Sequence, residues 1–134
     1  MHYSAERTTK VIGVLRIMVG LMMVYHGQEV FNAKLMDGYT QWDVFPPTMA
    51  RIMVYVGKSS ELIAGILLTL GLLTRVGALI LAGTMLYITF FVGQGRFWYQ
   101  EQHPFMFVLF GILFFFAGPG AWNLDNKIFA TRKD

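Results

Sequence analysis

Four apolar runs, Val11–Phe31, Ile52–Leu73, Val76–Val92 and Phe105–Ala117, fill most of this chain and are divided by polar or aromatic interludes. A helix needs about twenty mainly apolar residues to cross about 30 Å of hydrocarbon. The pattern therefore predicts an all-α, integral membrane four-helix bundle, with residues 1–134 as a single domain and two long aromatic outer loops. The fourth run is short and is expected to borrow length from flanking aromatics or to thin the bilayer locally. The first run is too long for a signal-peptide core, follows a polar start and has no small-x-small site before Phe31, so it reads as a retained helix.

The connections differ in kind. Leu73-Thr74-Arg75 is all that separates the second and third runs, which must form an antiparallel hairpin. The outer connections are Asn32–Arg51, with Tyr39, Trp42, Phe45 and Pro46-Pro47, and Gly93–Pro104, with Phe97, Trp98 and Tyr99. Aromatics of this kind sit at the headgroup level. They read as interfacial anchors or as a lid over a polar cavity.

What interrupts the apolar runs is more informative: Arg16, His26 and Glu29 in the first, Lys58 and Glu61 in the second. Ionisable side chains at membrane depth are costly and usually face the bundle interior. At about 100° per residue, Gly13, Arg16, Gly20, Met23 and Gly27 share one stripe of the first helix, with His26 at its edge. Gly57, Glu61, Ala64, Gly65 and Leu68 share one stripe of the second, with Lys58 a turn from Glu61. Glycines on such stripes let helices approach closely, so the stripes are expected to face each other. Arg16 and Glu61 then differ in height by roughly 9 Å, a gap an arginine stem can largely cover. The expected pairs are Arg16 with Glu61, and Lys58 with Glu29 or Glu61, with His26 between them. Such a cluster is either a structural clasp or a proton- or ligand-handling site.

Composition places the 134-residue chain on the membrane side of the soluble norm: 55% hydrophobic and 14% charged. The net charge of +3 does not indicate nucleic acid, because the basic residues sit at the membrane edges and form no aromatic-interleaved patch. Arg7, Lys10, Arg75, Lys127, Arg132 and Lys133 outnumber Lys34, Arg51 and Arg96 on the other side. The positive-inside rule therefore predicts both termini in the cytoplasm. No cysteine is present, which excludes disulfides and thiolate metal sites formed by this chain. His2 belongs to the terminus. His103 reads as a polar cap of the last helix, and Glu29, His26 and His103 share the outer mouth without any metal-ligand spacing, so no metal site is expected. No haem, iron–sulfur or nucleotide-binding motif occurs.

Near the C-terminus, Gly118 and Pro119 end the fourth helix, Trp122 suits the interface, and Asn123 or Asp125 suits a cap for a short following segment. With this stretch the chain resembles the DoxX family of small four-helix membrane proteins. The matching residues are Arg16 and His26-Gly27, then Glu61, Gly65 and Gly71-Leu72-Leu73-Thr74-Arg75, and finally Gly118-Pro119-Gly120-Ala121-Trp122-Asn123-Leu124-Asp125, with Asn123 where the family has Ser. The family commonly has a Lys shortly after His-Gly; here the chain reads Gln28-Glu29-Val30, and Lys58 is the candidate replacement.

The resemblance implies a redox-associated role, as in membrane subunits of thiosulfate:quinone oxidoreductase or partners of oxidative-stress and sulfur-handling enzymes. The leading expectation is a bacterial inner-membrane subunit that binds a quinone-like ligand or docks a redox partner. Arg16, His26, Glu29, Lys58 and Glu61 would form the site beneath Trp42 and Trp98, with Glu61 and His26 as the candidates for proton exchange. No intrinsic cofactor is expected, and electrons would come from a partner. A small proton-coupled transporter and a non-catalytic scaffold are the alternatives, and a homo-oligomer remains open.

Overall fold

The computed structural model describes residues 2–130, with the side chains of residues 2 and 3 left aside. His2's side chain, Arg132 and Lys133, which entered the reading above, lie outside the described residues. The order is α1 (His2–Gly27), a 3₁₀ turn (Gln28–Phe31), α2 (Ala33–Thr40), α3 (Ala50–Leu70), α4 (Thr74–Tyr87) running on into a π turn (Ile88–Val92), α5 (Gln102–Ala117) and α6 (Asp125–Phe129). Every regular element among the described residues is helical. Three helical stretches are long and apolar enough to cross a membrane: Ser4–Phe31, Ala50–Leu70 and Thr74–Val92. The shorter α5 has 16 residues, about 24 Å at helical rise.

The long helices pack in sequence, α1 on α3, α3 on α4 and α4 on α5, while α1 and α5 touch only sparingly. Their shared core comprises Val19 and Met23, Ala64 and Leu68, Ala78, Leu81 and Met85, and Phe107, Val108 and Phe114. The opposite faces expose large apolar side chains throughout, among them Val14, Leu21, Ile63, Leu79 and Phe116. Surface of this kind needs an apolar surround, which lipid supplies.

The glycine stripes do meet. A Cβ on Gly65 would lie 2.5 Å from the Val24 backbone nitrogen, and one on Gly20 would lie 2.5 Å from that of Thr69. Two stripe members behave differently. Gly13 packs against Ala121 of the C-terminal segment, and Gly57 has nothing within 4 Å of where a Cβ would stand.

The hairpin between α3 and α4 is tight at one end. Gly71 ends α3 in the left-handed region (φ 62°). Leu72 N–H reaches Leu67 O at 3.0 Å and Gly71 N–H reaches Leu68 O at 3.2 Å, which together form a Schellman closure. The free amides opening α4 are then capped from far along the chain. The Asp125 carboxylate accepts from Leu73 N–H at 2.5 Å and Thr74 N–H at 2.8 Å, while Asn123 accepts from Asn126 N–H at 2.7 Å. At the other end α3 and α4 stand apart, and α2 with the segment after it lies over the gap. The long Asn32–Arg51 connection is thus partly helical, because Asn32 caps α2 by accepting from Leu35 N–H at 3.2 Å.

Candidate functional site

Lys58 and Glu61 sit one turn apart on α3, so their side chains leave the same face. The Lys58 ammonium lies 3.1 Å from Glu61 and 2.8 Å from Glu29, which the 3₁₀ turn after α1 brings over. One lysine therefore bridges two carboxylates on different helical segments. Tyr39 of α2 completes the group: its hydroxyl donates to Glu29 at 2.8 Å, and its ring lies 5.2 Å from the Lys58 nitrogen. Burial, with the hydrogen bond to Glu29, raises the Tyr39 pKa; both effects keep the phenol protonated and a donor. His26 stands beside the cluster, near enough to act electrostatically on both carboxylates.

This cluster forms one wall of a cavity of about 240 Å³ between the N-terminal half of α3 and the end of α4. Gly57, Lys58 and Glu61 line it from α3, Thr84, Tyr87 and the π-turn residues Ile88 and Val92 from α4, and Tyr39, Trp42 and Phe45 from above. Gly57 leaves open space within 4 Å of where a Cβ would stand. The π turn inserts an extra residue at this point in the helix, a distortion found frequently at functional sites. An ammonium has three N–H donors, and the two carboxylates engage two of them. The ammonium, with the Tyr39 ring alongside, borders an otherwise largely apolar, aromatic space.

Of the expected site residues, the structure brings together Glu29, Lys58, Glu61 and Trp42, with His26 adjacent. Two are elsewhere. Trp98 is exposed and stands edge-on to Phe97 at 4.6 Å; it does not line the cavity. Arg16 does not pair with Glu61. It is fully buried toward the hairpin end, donating to the carbonyls of Pro119 (2.6 Å), Ala121 (2.9 Å), Trp122 (2.8 Å), Thr69 (3.3 Å) and Leu68. The turns at Gly118 and Gly120 aim the C-terminal carbonyls inward, and a planar five-donor group satisfies them better than one carboxylate could be satisfied by it. The N-cap position of the last helix is Glu101, with no side-chain cap hydrogen bond, and His103, expected as the cap, stands edge-on to His26 instead, 6.0 Å between centroids.

Sequence reasoning missed Tyr39 and Gly57 as site residues. Tyr39 was visible only as one aromatic among several in a connection. Gly57 looked like a helix-contact glycine because it shares the stripe of Glu61 and Gly65.

A family model described as DoxX matches residues 11–94. An uncharacterized protein from Haemophilus influenzae is 32% identical over 125 residues, covering 88% of this chain and 90% of the relative. No solved structure matches.

Proposed function

The chain belongs to the DoxX family of membrane proteins, and from that premise we propose that it is a redox-associated membrane subunit holding a quinone-type ligand in the cavity beneath Tyr39 and Trp42. The observation that carries the reading is the bridged Lys58 at the wall of an aromatic cavity. A quinone headgroup is flat, apolar on its faces and an acceptor at its carbonyls, and the cavity offers aromatic surfaces and a charged donor in that combination.

A quinone, when bound, would supply two-electron, two-proton chemistry, with electrons drawn from a partner that carries a redox cofactor. The chain's own residues hold and move protons. Lys58 donates to a ligand carbonyl while Glu29 and Glu61 hold its charge. Tyr39 fixes Glu29 by donating to it, and Trp42 and Phe45 exclude water above. Glu61 reaches the cavity wall and is the exchange group, with His26 next to it as a route outward.

In this reading α5 is a fourth, slightly short span, the termini are cytoplasmic, and the cavity opens toward the outer side of a bacterial inner membrane. The opposite end is tied shut by Arg16 and its carbonyls, which supports binding over passage through the bundle. Purification from native membranes in mild detergent, with extraction and spectra of any bound ligand, tests the proposal. Stoichiometric quinone supports it; partner subunits recovered with the folded chain and no quinone favour the scaffold reading.

A further inference from the structure

The sparse contact between α1 and α5 leaves a second cavity, of about 170 Å³, that shares no lining residue with the first. Its walls include Met18 and Met22 of α1 and His103, Met106 and Phe107 of α5. His26 lies one turn beyond Met22 on α1, and Met106 lies three residues after His103 on α5, so each helix presents one imidazole and one thioether at same-face spacing. His26 does not line the groove itself but stands at its edge; its ring is edge-on to His103, 6.0 Å between centroids and 74° between planes. With nitrogen–metal distances of about 2.0 Å, two imidazoles on one metal have centroids roughly 5–6 Å apart. Among the described residues neither imidazole has a hydrogen-bond partner, so their nitrogens are not engaged elsewhere.

We propose that this groove binds a single soft monovalent metal ion, Cu(I), on His26 and His103 with Met22 and Met106. The donor set decides the metal class. Among the described residues no three His, Cys, Asp or Glu converge, and Glu29 is committed to Lys58 and Tyr39. Two neutral imidazoles and two thioethers in an almost wholly apolar groove suit a soft ion of single charge. A hard divalent ion would lack the anionic oxygens it requires. The ion would clip α1 to α5 where protein contacts are sparse.

The test is a titration of the purified full-length chain in detergent with Cu(I), against a chromophoric Cu(I) chelator under reducing conditions, with Ag(I) as a redox-inert check. One ion per chain is expected, with both nitrogen and sulfur scattering in the X-ray absorption spectrum. His103→Ala, at an exposed position, removes a direct ligand and should weaken binding by at least the ~10-fold that losing an outer-shell partner costs. Met22→Leu with Met106→Leu should remove the sulfur scattering and weaken Cu(I) binding while leaving the melting temperature of the metal-free protein nearly unchanged. Should His26→Ala fail to fold, these variants still decide the matter. No Cu(I) uptake by folded wild type, uptake indifferent to His103→Ala, or a spectrum without sulfur would each overturn the proposal.

Discussion

Lys58 lies 2.8 Å from Glu29 while bonded at 3.1 Å to Glu61, so a single ammonium fastens the end of α1 to α3 and also faces the larger cavity. Removing it leaves two carboxylates close together with only the Tyr39 hydroxyl donating to Glu29. Lys58→Met is therefore expected to destabilise the protein by about 3–5 kcal/mol, read as a lowered melting temperature in detergent. Glu61→Gln in that background should recover part of the loss, and a double-mutant cycle measures how much.

Arg16 and Glu61 are engaged by different partners at different heights, so their substitutions should behave independently. Arg16→Gln and Glu61→Gln are expected to add within about 0.5 kcal/mol. Coupling well beyond that would contradict the carbonyl cage around Arg16. Arg16→Lys should also be costly, because lysine lacks the planar fork that reaches the Leu68, Pro119, Ala121 and Trp122 carbonyls together.

Asp125 caps α4 from outside its own helix. Asp125→Ala should cost about 1–2 kcal/mol and loosen the hairpin end specifically. Hydrogen exchange should rise at Leu73 and Thr74, whose amides it accepts, and remain unchanged around Lys58.

The parts of this architecture that depend on nearby residues were legible in the sequence. The apolar runs foretold long helices in these stretches, although α1 begins at His2, well ahead of its apolar run at Val11, and the i, i+3 spacing of Lys58 and Glu61 foretold their pairing. The glycine stripes foretold the α1–α3 approach at Gly20 and Gly65. Arg16 defeated the same reasoning because its partners are backbone carbonyls, which carry no residue signature, and three of them lie more than a hundred positions away. Asp125 was readable as a cap, but not as the cap of a helix fifty residues earlier. Tyr39 was hidden because α2 lies in a connection whose residues showed composition rather than periodicity. That His26 and His103 could meet at one end of the bundle was legible, but their edge-on ring contact depends on how α5 returns past α1.

Gly57 offers a way to change the larger cavity without touching its charged residues, since a side chain there meets open space. The most direct measurement of the central claim is quinone content per folded chain, for wild type and Gly57→Leu purified side by side from native membranes. The account predicts about one quinone per wild-type chain, and its loss in Gly57→Leu with the melting temperature preserved. Quinone absent from the folded wild type, or retained undiminished in Gly57→Leu, would contradict it.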